Sequence, residues 1–173
     1  MAETRMVMID LETMSTFPEA AIASIGAVKF DIASGEIDPN TFYQTISLAD
    51  GKRLGRHFSK DTIAWWKTQD PAVLAELKRD NVSLEEGLKK FVAWFGNYSR
   101  PVWGCGASFD NVIMESSFRK VGIDVPWKYY HNRCYRTLKE IIRVPESKRE
   151  NVHHHALDDA MHQTKHLLKI LGS

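Results

Sequence analysis

Asp10 and Glu12 stand two residues apart inside an otherwise apolar run, Met8-Ile9-Asp10-Leu11-Glu12. Alternate side chains of a strand share a face, so both carboxylates project the same way. Two such neighbours repel each other and resist desolvation, and a cation between them relieves both penalties. Hard oxygen donors of this kind suit Mg2+ or Mn2+. A strand end emerging into solvent would also place Asp-x-Glu here, so the pair needs company before it means chemistry. That company comes from two other places. His154-His155-Ala156-Leu157-Asp158-Asp159-Ala160 sets a histidine five residues before Asp159, at the start of an amphipathic helix. Between the two ends, Asp110 follows Gly106-Ala107-Ser108-Phe109. Asp110 and Asp158 each have a duller account as first-turn acids favoured by the helix dipole. Four acids and a histidine together are the parts of a two-metal phosphodiesterase. His154, neutral near pH 7, is the candidate general base that takes a proton from water.

The histidines also invite a zinc reading, through His153-His154-His155 and through His162-x-x-x-His166 on one helical face. Zinc sites need three or four soft or imidazole ligands at fitting spacing, and Cys105 and Cys134 stand nowhere near these histidines in sequence.

Elements must bring these residues together across more than a hundred positions. Arg5 to Glu12 reads as a strand that is apolar on nearly both faces. Ala21 to Asp31 is a second strand, Ser34-Gly35 a turn, and Thr41 to Leu48 a third strand, which together suggest an antiparallel meander. Ser59-Lys60-Asp61 opens a helix that Asp70-Pro71 breaks. Ser83, three residues before Glu86, forms a capping box for a helix with Leu88, Phe91, Val92 and Phe95 on its buried stripe. Pro101 to Gly104 is a short buried strand, and a helix from about Phe109 to Lys120 ends at Gly122. Tyr129 to Cys134 reads as a strand or irregular segment, followed by a helix through Leu138, Ile141 and Ile142 up to Pro145. Lys148 to His153 is a polar connection. The last helix carries Leu157, Ala160, Met161, Thr164, Leu167, Leu168 and Leu171 at helical spacing. The fold class expected is α/β: three antiparallel strands, then parallel strands, in one mixed sheet flanked by helices on both faces.

With 173 residues, the chain is most simply one domain over 1–173, long enough to bury a sizeable core. Hydrophobic residues make up 43% and charged residues 26%, an ordinary globular balance with no apolar run long enough to span a membrane. The N-terminus lacks a signal-peptide layout, and two cysteines make no disulfide framework, so a reducing cytoplasm is expected. The net charge of +1 gives no global electrostatic footprint for nucleic acid. Bases do cluster from Arg133 to Arg149 and at Lys52, Arg53, Arg56 and Lys60, where a solvated face is the plainer explanation than phosphate contact. A metal-based nuclease can be near neutral, since bound cations supply the charge at the scissile phosphate.

In this order, the motifs resemble those of the DEDDh exonucleases, named for four acids and a histidine. Asp10-Leu11-Glu12-Thr13 is similar to their first motif and Ser108-Phe109-Asp110 to the core of the second. The segment from His154 to Ala160 is similar to the third, whose spacing selects His154 and Asp159 over His155 and Asp158. Thr62-Ile63-Ala64-Trp65-Trp66 and the chain's length most resemble the phage and bacterial branch. The resemblance implies a ribonuclease H-like fold and 3′→5′ hydrolysis with two Mg2+ or Mn2+ ions. It implies that Asp10 bridges both ions, that Glu12 and Asp159 hold the one on the attacking water's side, that Asp110 supports the other, and that His154 deprotonates the water. Thr13 and Met14 are placed like contacts to the terminal nucleotide. Phe109 is expected beneath its base, and Trp66 is the tryptophan chosen for substrate contact, although core burial is the commoner fate of helix tryptophans. The partner implied is nucleic acid with single-stranded 3′ ends, DNA favoured slightly over RNA. No membrane partner is expected, and relatives of this fold often pair as homodimers. The rival account is a non-catalytic nucleic-acid-binding or partner-binding module of the same fold, against which the intact acids and histidine argue.

Overall fold

The computed structural model describes residues 4–146, 148 and 154–172. Its strands are β1 (Arg5–Thr13), β2 (Ile22–Asp31), β3 (Phe42–Thr45), β4 (Val102–Gly104) and β5 (Asn132–Cys134). Its helices are α1 (Leu48–Arg53), α2 (Lys60–Trp66), α3 (Pro71–Glu76), α4 (Leu84–Phe95), α5 (Asp110–Val121), α6 (Tyr135–Ile141) and α7 (Ala156–Gly172). The sheet runs β3-β2-β1-β4-β5. β1 pairs antiparallel with β2, which pairs antiparallel with β3; β4 lies parallel to β1, and β5 parallel to β4. This is the mixed sheet expected from the pattern.

β1 is central and nearly all buried because both faces are covered. Val7, Ile9 and Leu11 point into a core shared with Leu88, Phe91 and Phe95 of α4 and with Ile113, Met114 and Phe118 of α5. Met6 and Met8 point the other way, against Ala160, Leu167 and Ile170 of α7. Strand alternation therefore sends Asp10 and Glu12 toward α7. The α7 seat depends on one missing side chain. Gly26 is paired with Asp10 across β1–β2, and a Cβ on it would overlap the backbone of Ala156 and Leu157. Gly104 does the same for α5: a Cβ there would meet Asn111 Oδ1 and lie 2.9 Å from the Asp110 Cβ.

Several boundaries differ from the expected ones. The third strand stops at Thr45 instead of reaching Leu48, because the Ser47 side chain accepts from the Asp50 amide and caps α1, a helix too short to show periodicity. Asp70-Pro71 ends one helix and begins another: Asp70 accepts from the Ala72 amide, and Pro71 opens α3 where a missing N–H costs nothing. α6 ends at Ile141, four residues before Pro145, with Ile142 already extended. The Ser83 cap is present, its hydroxyl accepting from the Glu86 amide at 3.2 Å. Most of the polar connection from Lys148 to His153, including His153, lies outside the described residues. Among the described residues, no helix is long and apolar enough to cross a membrane.

Candidate active site

β1, α5 and α7 converge on a cleft of about 470 Å³ at the β1 C-terminal end. Its lining includes Asp10, Glu12, Thr13, Trp66, Phe109, Asp110, His154 and Asp159, so eight of the nine residues expected from sequence share one cavity. Glu12, His154 and Asp159 each offer a ligand atom within 4.8 Å of the other two. Asp110 is buried at the first turn of α5, and its Oδ1 accepts from the Leu11 amide at 3.1 Å. That bond ties the α5 acid to the strand bearing the other two.

The electrostatics are those of buried acids that repel one another, with the Arg136 guanidinium pulling the other way on Asp110. Burial, then Asp110, Glu12 and Asp159, raise the Asp10 carboxyl well above its ordinary range. Burial, then Asp159 and Asp110, push Glu12 up to about 8. Burial pushes Asp110 up to about 7 against the pull of the backbone amides that bond it. Asp110 Oδ2 is buried and has no hydrogen-bond partner. Repelling carboxylates and an orphaned oxygen are what a site for hard divalent cations presents when only protons relieve it.

Other residues hold this arrangement in place. Gln163, one turn beyond Asp159 on α7, is buried and donates from Nε2 to Asp10 Oδ1 at 2.7 Å. Sequence reading missed it. The only available signal was its place at i+4 from Asp159 on the face turned to the sheet, where a polar residue interrupts an apolar stripe. Arg136 also lines the cleft, with Nη2 donating to the Cys105 carbonyl at 3.0 Å. His154 has a left-handed backbone (φ 63°), and its ring stands edge-on to Trp65 at 4.9 Å.

Three expectations need correction. Met14 is not in the cleft; it is buried with Ala21, Ala23, Trp66, Val73 and Leu77, because β1 passes a bulge between Glu12 and Thr13 that turns it toward α2 and α3. Trp66 touches the cleft but is itself buried, and its indole N–H donates to the Thr13 carbonyl at 2.9 Å. The aromatic surface offered to the cleft there belongs to Trp65, which is 42% exposed. Arg56 is buried rather than solvated, donating to the carbonyls of Pro18 and Ala20 and to the Ser116 and Ser117 hydroxyls. Thr13 lines the cleft, and its hydroxyl donates to the Ser15 carbonyl at 2.7 Å. The zinc arrangement does not form. His162 bonds Glu146 at 3.0 Å, while His166 is buried between the Tyr135 hydroxyl and the Val144 carbonyl, each at 2.7 Å.

The central strand, a following helix N-terminus and the start of α7 bring four acids and a histidine to one end of the sheet, the arrangement that the DEDDh resemblance implied. The family model for the Rv2179c-like 3′-5′ exoribonuclease domain matches residues 5–171, and the chain belongs to that family. The protein is a 3′-5′ exonuclease. It is 27% identical to an exodeoxyribonuclease of Enterobacteria phage T4 over 162 aligned residues, taking in 78% of this chain and 70% of the phage protein. Its fold is similar to the nuclease domain of 3′hExo, a DEDDh family member bound to rAMP, with a TM-score of 0.64 at 14% identity over 98% of this chain and 92% of that one. It is likewise similar to E. coli exonuclease I in complex with a dT13 oligonucleotide, with a TM-score of 0.70 at 15% identity over 97% of this chain and 41% of that one.

Proposed function

We propose that the protein hydrolyses single-stranded 3′ ends of DNA or RNA with two divalent cations, Mg2+ or Mn2+, releasing nucleoside 5′-monophosphates. The observation that carries this is the convergence of Glu12, Asp159 and His154 beside Asp10 and Asp110, with Asp10, Glu12 and Asp110 raised by burial and by neighbouring acids. Asp10, Glu12, Asp110 and Asp159 fit divalent cations by donor chemistry, and the orphaned Asp110 Oδ2 supplies a lone pair that nothing else uses. When bound, such cations neutralise phosphate charge and make water a better nucleophile at neutral pH.

The rest falls to the chain's own groups. The His154 ring accepts the proton of the attacking water, and Trp65 at its edge limits where that ring can sit. Water oxygen bonds to phosphorus while the bond to the preceding nucleotide's 3′ oxygen breaks; that oxygen takes a proton from solvent water, and His154 returns the one it accepted to solvent. Phe109 and Trp65 offer apolar surface to the terminal base, and Thr13 lines the cleft beside them. Arg136 brings a positive charge to the same cleft. Similarity to the phage exodeoxyribonuclease supports DNA as substrate and membership of an exoribonuclease family supports RNA; stacking on aromatic faces is tolerant of either.

A 5′-labelled oligonucleotide of each chemistry, incubated with Mn2+ or Mg2+ and again with EDTA, tests the proposal. A metal-dependent ladder shortening from the 3′ end is expected, with monophosphates as products. His154→Ala should cleave about 10²–10⁴-fold more slowly while retaining Mn2+ binding. Cleavage that persists undiminished in EDTA, or substrates left intact with metal, would overturn it.

A further inference from the structure

The β5 edge of the sheet carries a surface that the cleft does not account for. Trp127 turns inward and is buried in the core, yet Tyr129 and Tyr130, two and three residues on, are thrown outward at 83% and 59% exposure. Tyr98, from the neighbouring loop, is 75% exposed. The turn carrying them is well tied. Ser99 Oγ bonds His131 Nδ1 at 3.0 Å and accepts from the Lys128 amide at 3.1 Å, while Arg133 donates to the Tyr130 carbonyl at 2.8 Å. Tyr129 and Tyr130 meet edge to face at 5.4 Å. The backbone that presents these rings is thus held in place before anything binds.

Bases predominate in the segment that carries them, although Glu115 accepts from Asn132 of β5 at 2.8 Å and Lys139 is paired with Glu146. From Lys128 to Lys139 the sequence holds four bases, Lys128, Arg133, Arg136 and Lys139, and no acid. This run also leads to the cleft. β5 lies parallel to β4 with Cys134 level with Gly104, which pairs with Ile9 beside Asp10, and Arg136 just beyond lines the cleft itself. The tyrosine turn enters the other end of β5, a strand about 10 Å long at ~3.3 Å per residue.

We propose that this edge is a track for single-stranded nucleic acid, holding the nucleotides 5′ of the one being removed. Tyr129, Tyr130 and Tyr98 stack bases, and Lys128 and Arg133 meet phosphates on the way from Arg136. The chemistry that fits is an unpaired strand of either sugar, since stacking reads no sequence and a duplex would hide the base faces. The inference rests on the cleft being where the 3′ end is cut.

The test compares kcat/KM for a twelve-nucleotide and a three-nucleotide single strand, both in Mn2+. The ratio of long to short should fall about tenfold or more in Tyr129→Ala/Tyr130→Ala, carried by KM on the long strand. In Arg133→Gln, the slope of log KM against log salt on the long strand should drop by about 0.7. An unchanged ratio with an unchanged salt slope overturns the track. So does an unchanged ratio accompanied by conversion of a dimer to a monomer in the tyrosine variant, which would make the surface a contact between copies. If the parent itself cleaves neither strand, the reading of the cleft has failed instead.

Discussion

Replacing Glu12 by Gln should stabilise the metal-free protein while abolishing cleavage. Glu12 is buried, and its carboxyl is pushed from 4.5 to about 8 by burial, then by Asp159 and Asp110. Between those values the folded chain keeps a proton that the unfolded chain has released, so raising the pH favours unfolding. The penalty is absent below the ordinary carboxylate value, grows through the window and is complete above about 8. At about 1.4 kcal/mol per unit, the displacement sets a ceiling of about 5 kcal/mol. Gln removes the ionisation but still gives up hydration of its amide, so a gain of about 2–4 kcal/mol is expected at pH 8 in EDTA. For a chain of this size that is about 5–15 °C in melting temperature, shrinking to within about 1 kcal/mol of the parent near pH 5. Thermal melts of parent and variant across this pH range, in EDTA and then in Mn2+, give the answer. Metal should narrow the gap by stabilising the parent more. A variant that melts no higher than the parent at pH 8 in EDTA, or a gap independent of pH, would refute the argument that these acids are strained for want of cations.

Two further outcomes follow from the supports of the site. Gln163→Leu removes the donor that fixes Asp10 Oδ1, so Mn2+ affinity measured by calorimetry should fall about 10–100-fold with the fold retained, and Gln163→Asn should not restore it because its shorter amide falls short. Gly26→Ala drives a methyl into the Ala156–Leu157 backbone; displacement of α7 should cost about 1–3 kcal/mol in denaturant melts and, by moving Asp159, more activity than stability.

The long elements and the acids were legible because each carries a repeating or spaced signal. β1, β2, α4, α5 and α7 announce themselves through period and caps, and the His154–Asp159 spacing picks one histidine and one acid from a crowded run. What stayed hidden depends on contacts made only in three dimensions. Met14 and Trp66 follow motif residues in sequence, yet a bulge after Glu12 buries the first, and the Thr13 carbonyl, 53 residues earlier in the chain, captures the indole of the second. Arg56 reads as a surface base until Pro18, Ala20, Ser116 and Ser117 surround it. α1 and α3, at six residues each, are shorter than any window in which periodicity can be measured.

The close seat of α7 on Gly26 has a temporal side. Synthesis delivers Asp10 early and Asp110 midway, but Asp159 and Gln163 arrive with the final helix, whose described span begins at Ala156. A nascent chain halted before that point holds all five strands and three of the four acids, Asp10, Glu12 and Asp110. The acid cluster is therefore complete only once α7 has docked against β1 and β2, however early the sheet itself is laid down.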